Sequence, residues 1–160
     1  IGKPLSTITI SPSGKIVHRK DAVTQFNPGI GMLLPQLPER SVVVGQRWFS
    51  SETVRIRTQS GRVQPIQLRK LYKLDKVNHG LATISVRTQV LTPVNDPKIQ
   101  SQLMQRLQHG TIEFDLDAGR IYSCKMELDE RVIGFRGAAS MIHYLSRMTE
   151  TLVVPGAQGG

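Results

Sequence analysis

The sequence predicts a mainly β protein of the α+β class, with a curved antiparallel sheet or half-barrel packed on one amphipathic helix. Apolar and polar residues alternate over several stretches, most regularly at residues 81–90. Turn sequences separate these stretches, as in sheets built from hairpins. One segment alone, residues 97–109, carries apolar residues at helical spacing.

The N-terminal part predicts a hairpin followed by an irregular segment. Residues 6–10 and 15–19 flank the turn sequence Ser-Pro-Ser-Gly. Residues 20–41 contain several glycines and prolines but many apolar residues, so we expect them to wrap over a sheet edge or to connect to an upstream part. A short strand at residues 42–44 is expected to break at Gly45.

Three further strands are predicted before the helix, at residues 53–58, 66–77 and 81–90. Pro65 should keep the start of the second strand at an edge or bulge, because proline has no amide hydrogen to donate. Asn78-His79-Gly80 is typical of a tight turn in which the glycine takes a positive φ.

The helix is predicted over residues 97–109. Asp96 can cap it, Pro97 suits its first position and Gly110 suits its end. Its apolar stripe is the face that we expect to be buried on the sheet, and it consists of Ile99, Leu103, Met104 and Leu107.

Alternation returns after the helix, at residues 112–116 and 122–128, on either side of an Asp-Ala-Gly turn. Residues 140–154 favour a strand, although Leu145, Met148 and Leu152 would also suit a helix. Residues 156–160 are expected to be a flexible tail.

Length and composition indicate one β-rich domain over residues 1–160. The chain begins at Ile1, which we interpret as the C-terminal part of a longer precursor. The single cysteine, Cys124, excludes an intrachain disulfide and is expected to pack on an apolar strand face. No apolar run approaches the roughly 20 residues that span a bilayer, so no transmembrane segment is expected.

The net charge of +9 makes polyanions candidate partners. Alternation places five cations on the polar side of neighbouring strands, which predicts a basic sheet face: Arg55, Arg57, Arg69, Lys73 and Arg87. The alternative is that these long side chains only protect an exposed sheet from aggregation. Aromatic residues are few and do not alternate with the cations, so nucleic acid is not the expected partner.

No catalytic constellation or cofactor motif is recognisable, so the sequence predicts a protein that is not an enzyme and has no cofactor. The four histidines lack metal-site spacing. Residues 115–119 resemble the start of a calcium loop, but Met126 occupies the position where such a loop has a glutamate, so a hairpin turn is favoured. Glu113 and Asp115 are expected to face water.

Three segments carry a resemblance: Val-Gly-Gln-Arg-Trp at residues 44–48, residues 72–84, and Gly-Thr-Ile-Glu-Phe-Asp-Leu-Asp-Ala-Gly-Arg at residues 110–120. Together they resemble an uncharacterised family of bacterial envelope-associated domains of unknown function. That resemblance implies a cell-envelope or secreted location and transfers no activity. The predicted sheet over one helix is similar, at the level of the fold, to the half-barrels of periplasmic lipoprotein carriers.

These observations favour a non-enzymatic, envelope-associated binding domain. Its partner would be a lipid-like or amphipathic ligand, or another protein. A ligand would be held between the sheet and the helix stripe of Ile99, Leu103, Met104 and Leu107. The same residues could instead form a closed core. The alternatives are a structural module that self-associates into a homo-oligomer, and polyanion binding through the basic sheet face.

Overall fold

The computed structural model describes residues 6–21, 35–58 and 60–153. It contains a two-stranded sheet, a six-stranded antiparallel sheet and one short α-helix, which confirms the predicted fold class. The six-stranded sheet is not closed. Contacts divide the chain into two compact units, residues 1–41 and 42–160, which are described separately.

The first unit contains the predicted hairpin. Strands β1 (Ser6–Ile10) and β2 (Ile16–Asp21) are antiparallel. Gly14 has a φ of 82° and its amide donates to the Ser11 carbonyl at 2.9 Å, which closes the turn. Most of the predicted wrapping segment, residues 22–34, lies outside the described residues, as does the predicted tail.

The second unit contains the six-stranded sheet, whose strands are neighbours in the order in which they occur in the chain. They are β3 (Arg47–Arg57), β4 (Val63–Asn78), β5 (Leu81–Val90), β6 (His109–Asp115), β7 (Arg120–Ile133) and β8 (Met141–Thr151). Helix α1 (Pro97–Leu103) connects β5 to β6 and continues into a 3-10 turn (Met104–Arg106).

The two faces of this sheet differ in burial because side chains alternate along each strand. We call the face that packs on α1 the inner face and the opposite one the outer face. Two buried apolar clusters cover the inner face. The first contains Tyr72, Leu74, Ala82, Ile84, Val86, Ile112, Cys124 and Met126, and the second contains Val54, Ile56, Ile66, Leu68, Ile99 and Leu103.

The predicted turns form as expected. His79 and Gly80 both have positive φ values, 47° and 77°, which is the geometry of a two-residue hairpin whose twist matches its strands. The Asp115 carboxylate accepts hydrogen bonds from the amides of Asp117 and Ala118, so residues 115–119 form the favoured hairpin turn. Pro65 lies before the first β4–β5 pair, Leu68 with Val90, where β4 has a neighbour on one side only.

The strand predicted at residues 42–44 is wrong. Val43 and Val44 are exposed, and the chain turns there instead. The Gln46 side chain accepts from the Val43 amide at 2.8 Å, and the Gln46 amide donates to the Val43 carbonyl at 3.0 Å. Gly45, with a φ of 91°, permits this turn, and β3 begins only at Arg47.

The helix is shorter than predicted, and the prediction that Gly110 ends it is wrong. Asp96 does cap the helix, because its carboxylate accepts from the Lys98 amide at 2.8 Å. Beyond Leu103 the chain tightens into the 3-10 turn, and both His109 and Gly110 belong to β6. The alternation that begins at His109 therefore overrides the helical spacing that precedes it.

Strand β8 confirms the choice of strand over helix for residues 140–154. It pairs with β7 along its whole length. Its inner-face residues Ile142, Tyr144 and Met148 are half-buried, whereas Leu145 on the outer face is exposed. Burial with a period of two therefore decides the structure of this segment.

We predict that Gly110→Ala destabilises the protein by about 1–3 kcal/mol, the usual cost of overpacking. A β-carbon at Gly110 would collide with the Lys125 carbonyl oxygen and lie 2.9 Å from the Met126 α-carbon, and backbone cannot move aside as a flexible side chain can. Urea unfolding measures the effect, with Thr111→Ala at the exposed neighbouring position as the control. Equal midpoints for the two variants would contradict the close packing of β6 on β7.

Candidate functional site

The predicted ligand-binding stripe lies between α1 and the inner face. Ile99, Leu103 and Met104 are 5%, 2% and 2% exposed, so these three side chains belong to the core. Ile99 and Leu103 pack with the β3–β4 end of the sheet, through Val54 and Ile66. Leu107 is half-buried at the end of the helical segment. The stripe is therefore mostly closed core, with its C-terminal end near the surface.

A cleft of about 400 Å³ opens beside this C-terminal end. Three stripe residues, Leu103, Met104 and Leu107, form one wall of it. The other walls come from the end of β5 and the segment after it, from Gln100 of α1 and from the end of β7, and they consist of Val90, Thr92, Pro93, Val94, Gln100, Glu130, Arg131 and Val132. Seven of the eleven residues that line the cleft are apolar, so its interior is mostly apolar with a few polar groups.

One wall of the cleft is held in place by a hydrogen bond from the helix. The side-chain amide nitrogen of Gln100, Nε2, donates to the Val94 carbonyl at 2.9 Å. That bond ties the segment between β5 and α1 to the first turns of α1. The helical segment is in turn bound to the opposite sheet edge. The side-chain amide of Gln102 donates to the Arg57 carbonyl, and Arg106 of the 3-10 turn forms a 2.9 Å ion pair with Glu52.

A polar row crosses the inner face between the two apolar clusters. It consists of Ser50, Lys70 and Thr88, which are paired across β3, β4 and β5. Lys70 lies between Leu68 of one cluster and Tyr72 of the other. Burial lowers the pKa of the Lys70 ammonium, with the Glu52 carboxylate acting in the opposite direction and Arg106 in the same direction. The sequence pattern showed this lysine only as an interruption of the alternation.

The outer face carries the predicted basic surface. All five predicted cations lie on that face of β3, β4 and β5, since each occupies a position that alternates with the buried ones. Arg69 is engaged there: its guanidinium donates to the Gln89 side chain at 2.9 and 3.2 Å and lies 5.7 Å from the centre of the Phe49 ring. Lys73 forms a 2.8 Å ion pair with Asp75. The hydrogen bond from Lys73 lowers the pKa of Asp75, whereas burial acts in the opposite direction and a hydrogen bond with Ser85 adds to the lowering.

An open groove of about 1270 Å³ runs across this face. Its main row is formed by residues paired from strand to strand, namely Arg47, Lys73, Ser85, Thr111 and Lys125. Arg87 lies in the next row, paired with His109. Within the described part of the chain, no hydrogen bond or ion pair involves the side chains of Arg47, Arg87 or Lys125. The groove lining thus combines four Lys or Arg side chains with two carboxylates, Glu127 and Glu130.

Arg47 and Lys125 were missed as members of this surface, and Arg55, Arg57 and Arg69 do not line the groove. Arg47 was missed because β3 was predicted to begin at residue 53 and not at Arg47. Lys125 lies beside Cys124, which is buried, so strict alternation would have placed Lys125 on the outer face. Lys125 is far from the other cations in the sequence, so the sequence pattern did not show that strand pairing places it in the same row as Arg47 and Lys73.

Residue types that commonly carry catalysis meet in pairs on the outer face, for example His143 and Asp129 at 2.7 Å. Among the described residues, no group of three or more His, Cys, Asp or Glu side chains is placed to hold a metal ion. Cys124 is buried as predicted, and burial raises the pKa of its thiol, with Glu150 adding to the effect. Glu113 accepts a 2.7 Å hydrogen bond from the Ser123 hydroxyl on the outer face. No described helix is long and apolar enough to cross a membrane.

Comparisons with protein-family models, with curated proteins and with solved structures found no match. The resemblance to envelope-associated domains and to lipoprotein carriers therefore stays a prediction, as does the absence of enzymatic activity. The candidate sites rest on geometry alone: the apolar cleft beside α1 and the basic groove on the outer face.

We predict that the free energy of unfolding rises with pH as Lys70 loses its proton in the folded state. The folded-state pKa of Lys70 is lowered below the unfolded value of about 10.4, so between the two values the unfolded chain binds more protons. Stability must then increase with pH, by at most about 1.4 kcal/mol per pH unit for one group.

Urea unfolding of wild type and Lys70→Met between pH 7 and about pH 10.5 measures this, because the substitution removes the titrating group. Lys125→Met, on the exposed outer face, controls for the loss of one positive charge. A stability difference between wild type and Lys70→Met that stays constant over this range would contradict the prediction.

Proposed function

We propose that this protein is a non-catalytic binding domain that takes up an apolar or amphipathic small ligand in the cleft beside α1. The observation that carries the proposal is the cleft itself, which has an apolar lining and a volume of about 400 Å³. Small-molecule sites are typically concave, mostly apolar and about 300–1,000 Å³ in volume. A ligand chain would contact Leu103, Met104 and Leu107 on one side and Val132 on the other.

The composition of the walls supports this choice over a closed core. Met104 is flexible and polarisable, so its side chain can adjust to chains of different shape. The wall around Thr92, Pro93 and Val94 has no regular secondary structure. Its described side-chain hydrogen bonds are two, from the Gln67 amide to the Thr92 hydroxyl and from the Gln100 side chain to the Val94 carbonyl. Such a wall can give way to a ligand at less cost than two packed strands.

The polar groups around the cleft support an amphipathic ligand in particular. Glu130 and Arg131 lie on its lining with Gln100 and Thr92, next to the apolar walls. A ligand with a wholly apolar surface would leave the charged groups without partners, at a cost in desolvation. A ligand with one polar end satisfies both parts of the lining.

We predict that Leu107→Trp abolishes uptake of a neutral apolar probe such as N-phenyl-1-naphthylamine. The larger ring fills the cleft from a half-buried position without adding a charge, so the sheet and helix should remain folded. Losing the apolar contacts of the probe should lower its affinity at least about tenfold. Probe fluorescence on titration measures the affinity.

The matched control is Leu91→Trp, the same substitution at an exposed leucine that does not line the cleft. Far-ultraviolet circular dichroism and the urea midpoint establish that both variants are folded. Probe affinity that is the same in wild type, Leu107→Trp and Leu91→Trp would place any binding elsewhere and reject the cleft as the site. A wild-type protein that does not bind the probe would reject the proposed function.

A further inference from the structure

The cleft and the groove share part of their lining. Val90, Leu107 and Glu130 border both cavities, although the cleft lies beside α1 and the groove runs across the outer face. Residues that border two cavities mark the place where the cavities approach each other. The two candidate sites therefore meet at one point of the sheet.

The strand topology explains why they meet there. Strand β6 separates β5 from β7, but its pairing with β5 begins only at His109, which is paired with Arg87. The last contact before it is the hydrogen bond from the Thr88 amide to the Gln108 carbonyl. Val90 on β5 and Glu130 on β7 therefore lie beyond His109, the first residue of β6, where β6 no longer separates β5 from β7. Leu107 borders both cavities at this place, together with Val90 and Glu130. The sheet has a gap at this place, with a half-buried leucine in it.

The two sides of the gap differ in chemistry. On the cleft side the lining is mostly apolar, whereas on the groove side Arg47, Arg87 and Lys125 have no ion-pair partner among the described residues. Arg87 is nearest to the gap along the chain, three positions before Val90 on β5. Glu130 at the gap disfavours an anion within the gap itself, so an anionic group would lie further out, towards the cations.

We propose that the cleft and the groove form one site through this gap, and that its ligand is a single-chain amphiphile with an anionic head group. The chain occupies the cleft, and the head, a carboxylate or a phosphate, lies in the groove against Arg87, the groove cation nearest to the gap along β5. Guanidinium groups suit both heads, because their donors match two acceptor oxygens at once. This inference rests on the proposed function and adds the class of ligand to it.

The test compares two ligands of equal chain length, decanoate and decan-1-ol, each as a competitor of N-phenyl-1-naphthylamine below any micellar concentration. We expect decanoate to bind wild type about tenfold more tightly than decan-1-ol, the effect of about one charge-assisted hydrogen bond. Arg87→Glu should remove this preference, because it repels the carboxylate while the chain still enters the cleft. Arg47→Glu, two strands away from Arg87 in the same groove, should have a smaller effect in the same direction.

The control is Arg55→Glu, which changes the net charge equally on the same face but lies outside the groove. It should keep the preference for decanoate. A preference reduced as much by Arg55→Glu as by Arg87→Glu would show a general effect of charge and overturn the inference. Equal affinity of wild type for decanoate and decan-1-ol would also overturn it, while leaving the proposed function intact.

Two further outcomes separate this inference from its alternatives. If the neutral probe does not bind wild type, the proposed function itself fails and the inference fails with it. The outer face would instead be a polyanion surface if heparin binds tightly without blocking the binding of decanoate or the probe. In that case Arg55→Glu and Arg87→Glu should weaken heparin binding equally. With decanoate then unaffected by Arg87→Glu, the head-group assignment would be wrong.

Discussion

The packing of α1 on one end of the inner face is the contact on which the other features of the second unit depend. Ile99 and Leu103 are buried against β3 and β4, and the Arg106–Glu52 ion pair adds a polar contact on the same side. The helix is only two turns long and continues into a short 3-10 turn that packs Met104 into the core, so the helical segment ends at Arg106, next to the half-buried Leu107. The cleft is what remains between the end of the helix and the sheet, so helix length sets its position.

The alternation of side chains along long paired strands determines the second feature, the charged groove. Register, and not nearness along the chain, brings Arg47, Lys73 and Lys125 into one row. The same register places Lys70 on the inner face, where a charged group costs free energy, between two apolar clusters. The polar side chains of Ser50 and Thr88 on either side of Lys70 and the nearby Glu52 carboxylate offset part of this cost. The polar row also divides the inner face into two separate apolar regions.

The sequence predicted those parts of the fold that depend on local patterns. Period-two alternation located β4, β5, β7 and β8, and Asp96 and His79-Gly80 were correctly assigned to a cap and a turn. It failed where a distant contact decides the outcome. The sequence suggests Gly110 as the end of a helix, but the close approach of the Met126 backbone places Gly110 in β6. Residues 42–44 resemble a strand, but the Gln46 side chain closes a turn there.

The candidate site was predictable in part for the same reason. Helical spacing identified Leu103, Met104 and Leu107, since these residues share one face of a single element. The opposite wall, around Val90, Val94 and Val132, comes from segments that are far apart in the sequence. The gap beyond the start of β6 depends on strand register, which local patterns do not reveal. Alternation along each strand could assign the cations of the groove to the outer face. It could not show which of them are paired across neighbouring strands, because that depends on strand register.

The central claim, that the cleft beside α1 binds an apolar chain, is tested most directly by a ¹H–¹⁵N NMR titration with decan-1-ol. We expect saturable shifts of the amide signals of residues 90–94, 103–107 and 130–132, with signals of the turn at residues 115–119, at the opposite end of β6, unchanged. Saturable shifts centred on another part of the chain, or no shifts at saturating decan-1-ol, would contradict it.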